Sequence, residues 1–397
     1  MEYFLRDLAS AQAASGMTIG VFVHNHAFGG SLQQDSNDTQ DKLRIVRAPS
    51  YGKLLFTPVS PAFGLHLKRE IDQLKPDLLH IHLPNPSAFQ LLAIASARRI
   101  PWVIHWHSDV YTSQSSSAIR LAYKLYRPFE QAMLRRAHTI IATTPPYLKG
   151  SLALRSWHEK CVVVPLGIDE NRVLMEYSQA PGDVTDHSPS LRGGAGGRAN
   201  KGHDSLTQHI PPLQILAVGR LTYYKGFDVL LHALVQLKSA RLTLIGEGDQ
   251  KEQLKRLIKS LGIANRVQLL NSLPQSELAE QIACCDCLCL PSIERTEAFG
   301  MVLMEAMAHG KAVVATRVAD SGMSWVVKDG INGLLAEPGD PESLAHELNK
   351  LVTNRPFNRL LGSQGRTDFE NRFRIDRVAE QLNAVYLQCI SSCNSSA

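Results

Sequence analysis

The chain has 397 residues, 44% of them hydrophobic and 20% charged, with a formal net charge of +5 and a pI of about 8.8. That length holds two domains with ordinary cores. The mild positive balance argues against dedicated nucleic-acid binding and fits weak attraction to an anionic membrane face. No apolar run reaches the eighteen residues or so of a transmembrane helix, and the start MEYFLRDLASAQ lacks the basic and apolar segments of a secretory leader.

In chain order, a helical pattern (MEYFLRDLASAQAASG) comes first, then apolar runs at IGVFV, RIVRA, LLHIHL, WVIHWH, TIIATT and CVVVPLG. Helical patterns separate most of them. A segment at 178–212, with RGGAGGRANKGHD at its centre, breaks the alternation. Its Gly, Ser, Pro, His and Asp content cannot bury a core, so it is expected to be a flexible interdomain linker. The alternation resumes with QILAVG, RLTLIG, RVQLLN, CLCLPS, AVVAT and NGLLA. This pattern predicts an α/β protein with two Rossmann-like domains at 1–177 and 213–372, followed by a C-terminal helix and tail at 373–397.

Two histidine pairs alternate on the strands of the first half. His105 and His107 flank Trp106, and His80 and His82 flank Ile81, so each pair shares one strand face. His107 lies nearer the carboxyl end of its strand, where α/β folds bind ligands. Asp109 follows at the strand-to-loop boundary. His80 and His82 read as structural, with His82 the better placed of the two for a cleft. Between Arg120 and Arg136, basic residues alternate with Leu, Tyr, Phe and Met. Such a helix is either a solvated face or a membrane-surface contact.

Four of the seven cysteines fall in CCDCLCLPS. Cys284 and Cys287 make a CxxC pair, but no second ligand pair lies at a matching distance. They read as small apolar residues entering a buried strand. No metal site is expected, and the reduced cytoplasm is the natural compartment.

The chemistry concentrates in the second half. Arg220 and Lys225, in VGRLTYYKG, follow its first strand. Glu297 and Glu305 bracket EAFGMVLME, where a strand and turn lead into a helix. The uncapped amides of a helix start suit phosphate, as do two fixed cations, while carboxylates suit sugar hydroxyls. Gly300 leaves room for a ligand to approach the backbone. The Gly246-Glu247-Gly248 turn is a weaker signal of a tight strand-to-helix connection. Together these residues point to a nucleotide-sugar site.

These motifs, with HWHSDV, LRRAHTIIATTPPYLKGS, VVVPLGID and SGMSWVVKDGINGLL, resemble the retaining GT-B glycosyltransferases of family 4. The resemblance runs from Glu2 to about Arg377 and is nearest to the branch that adds mannose or rhamnose in bacterial lipopolysaccharide and polysaccharide assembly. It implies that Arg220 and Lys225 hold the donor diphosphate, that Glu297 contacts the donor sugar and that Glu305 contacts the ribose. It further implies that the amides of Phe299, Gly300 and Met301 meet the distal phosphate or sugar. Gly246 would lie near the nucleotide, Ser272 and Leu273 would meet the base, His107 would be the active-site histidine, and Asp109 would face the acceptor. No cofactor or metal is implied. The partners would be a nucleotide-sugar (GDP-hexose favoured, UDP-hexose possible) and a saccharide or lipid-linked acceptor, met on the cytoplasmic membrane face. Other readings are a sugar-nucleotide epimerase and a non-catalytic nucleotide-sugar binding protein.

One departure from the resemblance is expected to matter. Such a domain begins with a strand and a Gly-Gly loop, yet this chain begins inside the helix that follows them. The expectation is an N-terminal sheet with open edges around a missing central strand. About fifteen to twenty further residues upstream would supply that strand and loop.

Overall fold

A computed structural model describes residues 2–28, 32–35, 42–54, 57–58, 60–110, 117–175 and 211–394. All but the last two residues of the expected linker therefore lie outside the described residues. The first half opens with helix α1 (Glu2–Ala14), which buries Phe4, Leu8 and Ala9. Strand β1 (Ile19–Phe28) follows, then β2 (Gln33–Asp35), β3 (Leu43–Ser50), the small hairpin β4 (Lys53–Leu54) and β5 (Thr57–Pro58), and helix α2 (Phe63–Leu74). Next come β6 (Leu79–Leu83), β7 (Trp102–Trp106), α3 (Ser117–Arg136), β8 (Thr139–Ala142), α4 (Pro145–Gly150), β9 (Cys161–Val163) and α5 (Glu170–Met175).

All five residues of β7 are buried, the pattern of a parallel strand covered on both faces. The order β6-β7-β8-β9 is parallel throughout, whereas β1-β3-β2 forms a separate sheet. A cavity of about 640 Å³ lies between the two sheets, lined by Val21 and Val23 of β1 and by Leu79 and Ile81 of β6. Among the described residues the first half therefore holds two separate sheets rather than one.

The second half runs β10 (Leu213–Val218), α6 (Phe227–Gln236), β11 (Ala240–Ile245), α7 (Lys251–Ser260), β12 (Val267–Leu270), α8 (Gln275–Cys284), β13 (Cys287–Leu290) and α9 (Met301–Ala308). It continues with β14 (Ala312–Thr316), α10 (Met323–Val326), β15 (Leu334–Ala336), α11 (Pro341–Thr353) and α12 (Arg355–Arg372). Its six strands form one parallel sheet in the order β12-β11-β10-β13-β14-β15. The order reverses between β10 and β13, and the crevice at such a switch point is where doubly wound sheets hold ligands. Cys287 and Cys289 are fully buried in β13, as the apolar-strand reading requires. Burial raises both thiols, so neither is a poised thiolate.

Helix α13 (Ile375–Asn394) crosses back to the first half. Gln12 of α1 donates to Asn383 at 2.9 Å, and the Tyr386 hydroxyl meets His80 Nδ1 at 2.6 Å. The last helix thus ties the second unit to the histidine-bearing strand β6.

Candidate active site

The donor side is built at the carboxyl ends of β10 and β13. After β10 the chain turns at Gly219, and the Lys225 side chain folds back across that glycine. Gly246, at the end of β11, packs on the same turn. A Cβ there would lie 1.9 Å from the Gly219 carbonyl oxygen, so only glycine fits.

The Lys225 ammonium pairs with the Glu297 carboxylate, which also accepts from the Ser292 hydroxyl at 3.3 Å. Glu297 lies in the loop between β13 and α9. Its carbonyl accepts from the Ser321 hydroxyl at 2.5 Å, which fixes the loop backbone. Gly300 is in the left-handed region (φ 82°) and starts α9 without a side-chain cap. The first amides of α9 are therefore available to an anion.

Glu305 lies four residues after Met301 on the same helix face. Burial pushes its carboxyl up to about 7, and Arg172 pulls in the opposite direction. Arg172 itself grips buried Asp7 of α1 with contacts of 2.9–3.1 Å. Glu305 thus sits close to an ion pair from the first half.

The other wall comes from β6 and β7. The His107 amide donates to the Leu83 carbonyl at 2.9 Å, and its Nε2 meets His82 Nδ1 at 2.8 Å. The Phe4 ring stands edge-on to His107, with centroids 6.0 Å apart. Burial first, then the neighbouring imidazoles, hold the His107 pKa well below its usual value. The ring is neutral at physiological pH, so it can donate from one nitrogen and accept at the other.

The two walls enclose one cavity of about 450 Å³, lined by Phe4, His107 and Ser108 on one side and by Gly219, Lys225, Glu297, Phe299, Gly300, Met301 and Glu305 on the other. It joins seven of the residues singled out in the sequence: His107, Lys225, Glu297, Phe299, Gly300, Met301 and Glu305. The others are placed differently. Arg220 is exposed at the end of β10, outside the lining, and Ser272 is exposed beyond β12 with Leu273 half-buried beside it. His82 stands behind His107 and lines the intersheet cavity instead.

Asp109 is engaged by three side-chain donors. Its carboxylate accepts from Trp106 Nε1 at 2.9 Å, from the Ser151 hydroxyl at 2.7 Å and from Arg295 Nη1 at 2.7 Å. Since Arg295 belongs to the loop before α9, Asp109 is a latch between the two halves. Sequence reasoning passed over Arg295, which also stacks over Tyr147 at 4.6 Å. The one available signal was its place two residues before Glu297, in a loop that the site already required.

Comparisons with known proteins give the family and the fold. The pattern described as Glycosyltransferase Family 4 matches residues 1–172, and the one described as Glycosyl transferases group 1 matches residues 204–368. The chain is a family 4 glycosyltransferase of the GT-B fold. It is 25% identical to the O-antigen chain mannosyltransferase C of Escherichia coli over 86% of this chain and 84% of that one. It is 26% identical to the D-rhamnosyltransferase WbpZ of Pseudomonas aeruginosa over 74% and 69% of the two chains. Among solved structures, a sucrose-phosphate synthase from Thermosynechococcus elongatus superposes with a TM-score of 0.75, 22% identity and coverage of 98% and 93%. The Anabaena HepE protein in complex with UDP superposes at 0.66, with 19% identity and coverage of 94% and 100%. In this glycosyltransferase, the cavity of about 450 Å³ lies where the two matched segments face each other.

Proposed function

We propose that this glycosyltransferase moves a hexosyl group, mannose-like by preference, from a nucleotide-sugar to a saccharide or lipid-linked saccharide during cell-surface polysaccharide assembly, with retention of anomeric configuration. The observation that carries the reading is the single cavity holding the Lys225–Glu297 pair, the uncapped start of α9 and neutral His107. The acceptor hydroxyl forms the new bond to the anomeric carbon as the bond to the diphosphate oxygen breaks, and its proton passes to the departing phosphate. The α9 amides, Lys225 and the nearby Arg220 meet the charge that grows on that phosphate, so the donor chemistry asks for no metal. Glu297 orients the sugar hydroxyls, and His107 orients the sugar or acceptor from the opposite wall.

The mannosyl and rhamnosyl relatives favour a GDP-hexose; the neighbour bound to UDP keeps UDP-hexoses in the test. No helix among the described residues is long and apolar enough to cross a membrane. Helix α3 exposes Leu121, Leu125 and Phe129 (64%, 74% and 52%) beside Lys124 and Arg127. This face supports peripheral contact with the cytoplasmic leaflet, where a lipid-linked acceptor would be met.

The test offers labelled GDP-mannose and UDP-glucose, without added divalent metal, together with lipid-linked saccharide acceptors, and determines the product anomer by NMR. A product with the donor's anomeric configuration is expected from the GDP-sugar. Donor binding without transfer to any acceptor, or an epimerised donor, overturns the reading.

A further inference from the structure

Behind His107 lies a group of side chains that the transfer reaction does not use. His80 and His82 of β6 and His105 of β7 each bring a ring nitrogen within 4.8 Å of the others, the one such group of three found among the described residues. The rings are stacked: His82 and His105 lie 5.2 Å apart at 22°, and His80 and His105 lie 5.4 Å apart at 19°. His105 is fully buried, yet neither of its ring nitrogens has a hydrogen-bond partner, and Nε2 of His80 lacks one as well. Buried polar groups are ordinarily paired, so three unpaired nitrogens on two neighbouring imidazoles call for an occupant.

We propose that His80, His82 and His105 form a binding site for a single divalent transition-metal ion of the zinc class, held through His80 Nε2, the His82 nitrogen turned away from His107, and one nitrogen of His105. Three independent features fit a cation. First, imidazole suits zinc and its neighbours, which bind nitrogen at about 2.0–2.1 Å in tetrahedral sites. That geometry separates ligand nitrogens by about 3.4 Å, so the rings must turn out of their present stacking to close on an ion. Second, each strand-β6 ligand already has the outer partner that metal-bound histidines use: Tyr386 meets His80 Nδ1 at 2.6 Å, and His107 meets His82 Nδ1 at 2.8 Å. Third, both ring nitrogens of fully buried His105 lack a hydrogen-bond partner. Burial also keeps these rings in the neutral form that binds metal.

The consequence reaches the active site. With its other nitrogen on the ion, His82 must carry its proton on Nδ1 and donate to His107 Nε2. That fixes His107 as the tautomer protonated at Nδ1. The ion acts as a structural clamp between β6 and β7 that selects the tautomer of the active-site histidine, and takes no part in breaking the glycosidic bond.

The test uses the full chain without a histidine tag, stripped with chelator and titrated with Co²⁺ while visible absorption is followed. One equivalent is expected to bind with the strong ligand-field band of a four-coordinate ion, and Zn²⁺ is expected to displace it. His80→Leu and His105→Leu, checked for folding by circular dichroism, are expected to lose the band and weaken binding at least tenfold. The Cys284→Ser, Cys287→Ser double variant is expected to keep it. Absence of stoichiometric uptake, or a band unchanged in both histidine variants, overturns the proposal and leaves a packed imidazole stack. If the histidine variants do not fold, X-ray absorption of the zinc-loaded wild type decides. Scattering from three imidazoles supports the site, and sulfur or oxygen ligation alone overturns it.

Discussion

The two halves of the chain repeat one plan but finish it differently. In the second half, β10 is paired on both sides, by β11 and β13, inside an unbroken six-stranded sheet. In the first half, β1 and β6 are both sheet edges facing one cavity, so each has one side of its backbone unpaired by a neighbouring strand. Their titratable cores differ too. The first half groups four imidazoles at β6 and the end of β7, two of them buried, and β13 of the second buries thiols. The Lys225–Glu297 side of the cavity therefore rests on a continuous scaffold. The position of His107 rests on a four-stranded sheet braced by α1 and α13. Local stability follows such differences in pairing and contact density.

The largest expected effect separates the halves by pH. Burial lowers the folded pKa of His80, His82, His105 and His107, that of His82 to about 3. Below pH 6.5 the unfolded chain binds more protons than the folded one, so stability falls as pH falls. Each such histidine contributes about 1.4 kcal/mol per pH unit until its folded pKa is reached. With chelator present, hydrogen exchange at pH 5 is expected to deprotect β7 well before β10, while at pH 7 the difference is small. His105→Leu should lessen the acid sensitivity by one histidine's share. Equal acid sensitivity of β7 and β10 would remove the contrast.

Next comes the latch between the halves. Arg295 reaches Asp109 from the other unit, and the pair is mostly buried. Arg295→Ala leaves Asp109 with its Trp106 and Ser151 donors, so we expect a loss of about 1–3 kcal/mol, below the full cost of orphaning a buried charge. Denaturant melts of Arg295→Ala, Asp109→Asn and the double variant should show non-additivity. Simple additivity would mean that the two side chains do not act as a pair.

Loss of the functional cation should touch both the reaction and the donor scaffold. Lys225→Ala is expected to lower turnover at least tenfold, about 1.4 kcal/mol of transition-state stabilisation, and also to lower the unfolding midpoint of the second half, because Glu297 loses its buried partner. Wild-type turnover in this variant would reject the phosphate role of Lys225.

The contrast between the halves also marks what could be read in advance. The strands were legible because parallel strands buried on both faces are near-continuous apolar runs, as in WVIHW and CLCLPS. Lys225, Glu297 and Gly300 were legible because strand end, turn and helix start follow one another closely in sequence. The partners of Asp109 were not legible because Ser151 and Arg295 lie 42 and 186 positions away. The histidine cluster was half legible. Alternation placed each pair on one face, but the register that sets His82 beside His105 is a property of the folded sheet. The exposed position of Arg220 depends on how the chain leaves Gly219, and a motif does not encode that path.

The smallest expected effect concerns a surface present on the first half. Leu121 and Leu125 of α3 are four residues apart and mostly exposed, with Lys124 and Arg127 beside them. Their substitution removes little folded-state packing, so Leu121→Ser and Leu125→Ser should each leave stability within about 0.5 kcal/mol of wild type. On a bilayer the same side chains would enter the headgroup region while the cations meet anionic lipid. Sedimentation with vesicles containing anionic lipid should therefore show a few-fold weaker binding for each variant and a loss of binding at high salt. Zwitterionic vesicles should bind poorly from the outset. If both variants sediment like wild type, the apolar stripe is not the contact, and any membrane attraction comes from net charge spread over both halves.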